Sequence, residues 1–231
     1  MQAKRKAPLR PAGTDFRRKL SSRYQKAEQN WTREMDKLHA LFLAQGLAAV
    51  ARKDLAAVEQ RREAVKMLAG TDREEAEYLA SCLELHHRRT QELLQQIKKE
   101  CDGDDTMQRL QSVPGVGPVL ALTFASHVAS GRFQDRGQVS SYIGLTPDYN
   151  MKHGKIKGSD HLRNLMVQAA MTLVRSEDGG KLKERYECLT RDTSKNEMHA
   201  VLAIARQMAE LLYTLAKDGS RYESSAVPAS F

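Results

Sequence analysis

A short turn rich in glycine and proline is the feature of this chain with the clearest potential chemistry. It occupies residues 113–118, Val-Pro-Gly-Val-Gly-Pro, between two apolar segments that favour helices. Proline suits the first turn of a helix, and glycine lets another backbone approach closely. A helix N-terminus presents free N–H groups and the positive end of the helix dipole, so such a turn can bind a phosphate. Gly115, Val116 and Gly117 are therefore candidate phosphate-binding residues.

A basic segment supplies the second set of candidates. Lys152, His153, Lys155 and Lys157 fall within six residues, and Arg163 follows in the next predicted helix. Cationic side chains bind phosphates with an affinity that decreases as salt rises. If the fold brings this segment beside residues 113–118, the two form one cationic surface for a nucleic-acid backbone.

Two interpretations of the glycine turn remain open at this point. It resembles the helix-hairpin-helix element that grips nucleic-acid backbone without contacting bases, and it also fits a tight connection between two core helices. A net charge of +8 favours the first, because a basic protein attracts polyanions. Residues 1–26 alone contain nine Lys or Arg and a single acid, Asp15.

Neither a metal site nor a cofactor is expected in this chain. His153 and His161 have no third ligand at motif spacing and are expected to face solvent or nucleic acid. Cys82, Cys101 and Cys188 lie far apart without C-x-x-C spacing, which favours a reducing, cytoplasmic setting. No apolar stretch approaches the ~18 residues of a membrane span, so no membrane contact is expected.

Apolar periodicity and capping residues predict helices throughout. The predicted helices cover residues 14–45, 47–69, 71–99, 139–143, 159–175, 181–189 and 194–217. A short helix is also predicted from Thr106 into the glycine turn, and another begins at Pro118. Their predicted N-caps include Thr14, Thr71, Thr106 and Ser159, whereas Gly46, Gly70 and Gly144 are predicted ends.

The resulting fold class is all-α. A long helical hairpin or coiled coil is followed by a compact helical domain that contains the helix-hairpin-helix, with a possible short β-ribbon at 148–158. The predicted organisation is a flexible basic arm (1–13), coiled-coil-like helices (14–101), the compact domain (102–217) and a flexible tail (218–231).

The order of motifs resembles the C-terminal half of insertion-sequence transposases of the 110/116/902 family. The motifs that carry the resemblance are Leu110-x-x-Val113-Pro114-Gly115-Val116-Gly117-Pro118, Arg132-Phe133, Ser140-Ser141-Tyr142-Ile143-Gly144-Leu145-Thr146-Pro147, Lys157-Gly158-Ser159-x-x-Leu162-Arg163 and Val167-Gln168-Ala169-Ala170. The resemblance implies DNA as the partner, a guide RNA, and assembly through the coiled coil, here residues 14–101. It also implies an N-terminal ribonuclease-H-like domain whose acidic residues bind magnesium, and a serine nucleophile in the C-terminal domain.

This chain departs from that pattern in two ways. The acidic domain is absent, so magnesium is expected only with a separate acidic-domain subunit. The stretch that should carry the serine is shortened to residues 148–156 and contains none. Ser159 is better explained as an N-cap, and nothing in the sequence favours Tyr149 as a nucleophile, so the catalytic residue is unknown.

Three functional hypotheses follow. The first is a DNA-binding transposase region, either truncated or one half of a split enzyme, that is inactive alone in transposition and recombination. The second is a non-catalytic helical dimerisation or assembly protein whose affinity for nucleic acid is incidental. The third keeps catalysis, with Ser159 as nucleophile and carboxylates from a partner subunit.

Overall fold

All regular structure in the described part of the chain is helical. The computed structural model describes residues 13–128, 133–145, 158–191 and 197–223. Its α-helices are α1 (Thr14–Ala44), α2 (Val58–Val65), α3 (Gly70–Asp102), α4 (Asp105–Leu110), α5 (Pro118–Val128), α6 (Arg136–Ile143), α7 (Asp160–Arg175), α8 (Gly180–Arg191) and α9 (Glu197–Asp218). The all-α prediction is confirmed. The β-ribbon predicted at 148–158 lies, apart from Gly158, outside the described residues.

The chain divides into two compact units. We call Ser22–Gln96 the hairpin unit, and Met1–Ser21 together with Ile97–Phe231 the C-terminal unit. The boundaries between them fall inside α1 and inside α3.

The hairpin unit is built on an apolar core between α1 and α3. Periodic apolar positions on the two helices face each other and are buried, and the α2 segment closes the core. The buried side chains are Met35, Leu38, Phe42, Leu55, Ala64, Val65, Leu68, Ala76, Leu79 and Leu83. The predicted long helical hairpin is confirmed.

The end of α1 follows the predicted glycine stop. Gly46 has a φ of +75°, the left-handed conformation that glycine adopts without a Cβ penalty. Leu47 N donates to Phe42 O at 2.9 Å and Gly46 N donates to Leu43 O at 3.1 Å. These two bonds satisfy terminal carbonyls of the helix and turn the chain sharply.

The continuous helix predicted over 47–69 is wrong. Only Val58–Val65 is α-helical there, after a short 3-10 turn that contains the fully buried Leu55. The buried Arg61 side chain donates from Nη1 to Leu55 O at 2.8 Å and to Ala56 O at 3.3 Å. Because the guanidinium donates to these two carbonyls, the helix can be interrupted here without leaving buried acceptors unsatisfied.

Three predicted N-caps and one predicted helix end also need correction. Thr14 is the first residue of α1 rather than its cap, and Gly70 is the first residue of α3 rather than the end of the preceding helix. α3 begins at Gly70, so Thr71 lies inside the helix rather than at its cap. α4 is capped by Asp104, whose Oδ1 accepts from Met107 N at 3.1 Å, and not by Thr106. Asp caps a helix as well as Thr does, and Asp104 has the extended backbone that an N-cap residue requires.

The C-terminal unit is organised around α9. This helix packs against α4, α6, α7 and α8, and ten of its residues are buried. One of them is Glu210, which accepts hydrogen bonds from Ser140 Oγ and Arg206 Nε, each at 3.1 Å. The paired carboxylate fixes α6 against α9 because an unpaired buried charge would be costly.

α5 is the most apolar helix of the C-terminal unit. Residues 120–124 are all buried, so this helix is surrounded by protein on most sides. It has 11 residues. Within the described ranges, no helix combines the length and the apolar character that crossing a membrane requires.

Candidate nucleic-acid interface

The glycine turn links α4 to α5 and is fixed by its own backbone. Val113 N donates to Leu110 O at 3.3 Å, and Val116 N donates to Val113 O at 3.0 Å. The side chains of Leu110, Val113 and Val116 are all buried. The two valines therefore anchor the turn to the core of the C-terminal unit.

Gly115 uses its lack of a side chain to contact α7. Its φ is +85°, and a Cβ atom there would overlap the carbonyl oxygen of Ala169 and lie 3.2 Å from Leu173 N. Glycine is required both for the backbone conformation and for the close approach. The position predicted to bind phosphate thus packs against protein, as the competing core-connection interpretation expects.

Gly117 has the opposite environment. It is exposed, no atom lies within 4 Å of a Cβ built there, and its φ is not positive. Pro118 begins α5 as predicted, and Ala121 N donates to Gly117 O at 3.0 Å. The Ala121 bond is the first of the helix. The N–H groups of Val119 and Leu120, in the first turn before it, have no acceptor within the helix. The face of the turn that can meet an anion is therefore centred on Gly117.

The basic segment can be located only by its two ends. Lys152, His153, Lys155 and Lys157 lie outside the described residues. The ends meet, because Ser159 N donates to Tyr142 O at 3.3 Å and Gly158 approaches the backbone of Gly144. A Cβ atom at Gly158 would lie 2.9 Å from Gly144 N.

Arg163 lies one turn into α7, close to the end of the basic segment. Its guanidinium pairs with Asp160 Oδ1 at 2.5 Å, and its side chain is only 17% exposed. Among the described residues, the buried Nη1 has no hydrogen-bond partner. The predicted contact residue is thus partly engaged within α7.

The direct adjacency of the turn and the basic segment stays a prediction, because residues 146–157 lie outside the described residues. The turn contacts Ala169, whereas the basic segment returns at Ser159, ten residues earlier on α7. At 1.5 Å per residue this separation is about 15 Å.

Ser159 serves as the N-cap of α7, as predicted. Its Oγ accepts from Leu162 N at 3.4 Å, and the helix begins at the next residue. A cap serine held by a backbone amide needs no catalytic explanation.

A buried polar chain was missed by the sequence analysis. Thr123 Oγ1 donates to Val119 O at 2.7 Å, so Ser21 Oγ donates to Thr123 Oγ1, also at 2.7 Å. Ser21 Oγ lies 3.5 Å from His161 Nε2. Burial lowers the pKa of His161, which favours the neutral imidazole. His161 is therefore half-buried, with its Nε2 beside Ser21, and is less exposed than expected.

A histidine–tyrosine pair lies beside the base of the basic segment. His127 Nδ1 and Tyr142 Oη are 2.8 Å apart, and the Tyr142 ring lies 5.2 Å from that of Phe133. The pair joins the end of α5 to α6. Within the described ranges, no group of three or more His, Cys, Asp or Glu side chains is placed to hold a metal ion.

The segment that contains these features matches a known protein family. Residues 107–187 match the profile of the Transposase IS116/IS110/IS902 family, which spans the glycine turn, α5, α6, α7 and the basic segment. This segment is a domain of that transposase family. The resemblance inferred from the motifs is confirmed.

Distant relatives agree with the domain assignment. The chain is 27% identical over 154 residues to "Insertion element IS110 uncharacterized 43.6 kDa protein" of Streptomyces coelicolor, covering 63% of this chain and 37% of the relative. It is 28% identical over 132 residues to "Probable family 20 transposase" of Pseudomonas aeruginosa, covering 53% and 39%. It is 25% identical over 140 residues to "Transposase for insertion sequence element IS1111A" of Coxiella burnetii, covering 57% and 38%. The matched part is thus less than half the length of each relative.

Proposed function

We propose that this chain is the nucleic-acid-binding region of an insertion-sequence transposase and acts in DNA transposition. The observation that carries the proposal is the transposase-family domain at 107–187, which contains both the glycine turn and the basic segment. The names of the relatives in Pseudomonas aeruginosa and Coxiella burnetii support it, since both are called transposases.

In this proposal the domain contacts phosphates rather than bases. The backbone N–H groups that follow Gly117 donate to one phosphate, and Lys152, Lys155 and Lys157 neutralise others along the same strand. Arg163 adds a donor at the start of α7. Since phosphates are alike at every base step, binding is nearly independent of sequence and weakens steeply with salt.

DNA is the proposed partner, and the resemblance extends the proposal to a guide RNA. Assembly into a homo-oligomer through residues 14–101 and a separate subunit with an acidic, magnesium-binding domain belong to the same proposal. Binding by this chain requires no cofactor, because lysines and backbone amides supply the contacts.

The test is the affinity of the full chain for labelled duplex DNA, measured by fluorescence anisotropy between 50 and 200 mM salt. We expect Lys152→Ala combined with Lys155→Ala to weaken binding at low salt and to reduce the slope of log K against log salt by about two. A second duplex of unrelated sequence should give the same affinity within a few-fold.

The matched control removes the same charge elsewhere. Lys53 and Lys66 are exposed and lie outside residues 107–187, so Lys53→Ala with Lys66→Ala should leave the slope close to that of the wild type. Unchanged low-salt affinity in the Lys152/Lys155 variant would refute the proposed contact.

A further inference from the structure

We infer that the hairpin unit carries a second surface for nucleic-acid backbone, in the groove between α1 and α3. The groove is lined by Arg23, Lys26 and Asn30 from α1 and by His86 and Arg89 from α3. It lies outside the transposase-family domain, which begins at residue 107. We call it the hairpin groove.

The helical spacing places its cations on one face. Arg23, Lys26 and Asn30 stand at positions i, i+3 and i+7, which share a face of an α-helix. Arg23 and Lys26 are exposed, and the Asn30 side chain is half-buried. Arg89 projects from the opposite wall with a side chain that is 48% exposed. Cations from both helices therefore face one open channel.

The charge of the hairpin groove is uniform. No carboxylate is among the side chains that line it in the described part of the chain. One of its cations has an acidic partner outside the groove: Arg89 Nη1 donates to Glu92 Oε2 at 2.9 Å. That pair is exposed on both sides, so it contributes little and can be exchanged for a phosphate.

The shape of the hairpin groove fits an extended polyanion better than a small anion. Arg23 and Asn30 are seven residues apart, about 10 Å along the helix axis. One strand of B-form DNA places about three phosphates over that distance. Leu85, 61% exposed, also lines the groove and offers an apolar surface to a sugar ring. Cations flanking an apolar side chain match the alternating chemistry of a sugar-phosphate chain.

This inference rests on the proposed function only for the choice of ligand, and its residues are separate from those of the family domain. The test uses the full chain and the same duplex DNA between 50 and 200 mM salt. Arg23→Ala with Lys26→Ala should lower the salt slope by about two, and Arg89→Ala alone should lower it by about one. Lys53→Ala with Lys66→Ala is the charge-matched control, because both side chains are exposed and neither lines the hairpin groove. Circular dichroism and light scattering verify that each variant keeps the fold and mass of the wild type.

The possible outcomes separate the two proposals. A lower salt slope in the groove variants, with an unchanged control, supports the hairpin groove. This holds even if the Lys152/Lys155 variant behaves like wild type, which would refute only the proposed contact in the family domain. A groove variant that matches the control overturns the inference, whether or not the Lys152/Lys155 variant loses affinity. Absence of binding by the wild-type chain at 50 mM salt overturns both.

Discussion

The hairpin unit and the C-terminal unit are both helical, but they differ in how many polar side chains they bury. In the described part of the chain, the buried polar residues of the hairpin unit are Arg61 and Thr90. The C-terminal unit buries Thr14, Ser21, Thr123, Ser126, Ser140 and Glu210. An apolar core tolerates small shifts between helices, whereas hydrogen bonds between buried groups are satisfied at one relative position. The unit that contains the family domain is therefore the one whose helix positions are specified most tightly.

The glycines of the two units differ as well, in whether other atoms pack against them. In the C-terminal unit, Gly115 and Gly158 let backbone segments approach at distances that a side chain would prevent. In the hairpin unit, Gly46 and Gly70 have open space around them and act only through their left-handed φ. The first kind of glycine determines tertiary packing. The second kind shapes only the local backbone, at the end of α1 for Gly46 and at the start of α3 for Gly70.

The largest effect should come from the apolar core of the hairpin unit. Leu38→Ala removes a fully buried side chain and should cost about 4 kcal/mol of unfolding free energy, because a cavity remains. Leu43→Ala on the same helix, at a side chain 48% exposed, should cost less than about 1 kcal/mol. Urea denaturation of both variants measures the difference. Similar losses at the two positions would contradict the assigned core.

The glycine contrast gives the next largest effect. Gly115→Ala combines a left-handed φ with an overlap against the Ala169 carbonyl and should destabilise the protein by about 3 kcal/mol. Gly117→Ala meets open space and should change stability by less than about 1 kcal/mol. The urea midpoints of the two variants provide the measurement. A mild Gly115→Ala variant would show that the turn does not depend on α7.

The buried polar chain gives a smaller, pH-dependent effect. Burial lowers the pKa of His161 below its ordinary value of 6.5, so the unfolded chain binds the proton first as the pH falls. Stability from this group is thus complete above pH 6.5 and declines as the pH drops to 5.5. The thermal midpoint of wild type should fall more over this range than that of His161→Gln, which cannot titrate. Parallel pH profiles would exclude His161 as the source.

Much of the fold was predictable because it depends on local patterns. The apolar stripes of α1 and α3, the stop at Gly46 and the Ser159 cap all arise from residues within one or two helical turns. The break within 47–69 was not predictable, because it depends on where the Arg61 guanidinium finds its carbonyl partners.

The candidate site divides in the same way. Pro118 and the turn were evident from sequence, yet nothing local distinguishes Gly115, which packs on α7, from the exposed Gly117. The chain from His161 through Ser21 to Thr123 joins residues more than 100 positions apart, so no sequence pattern indicates it.

The central claim is that the family domain binds nucleic-acid backbone through the basic segment that follows Leu145. The most direct measurement is the DNA affinity of wild type and of the Lys152→Ala, Lys155→Ala variant across the same salt range. We expect a deficit that is large at 50 mM and shrinks toward 200 mM, with the Lys53/Lys66 control unchanged. Equal affinities at 50 mM, or a deficit that is constant with salt, would contradict it.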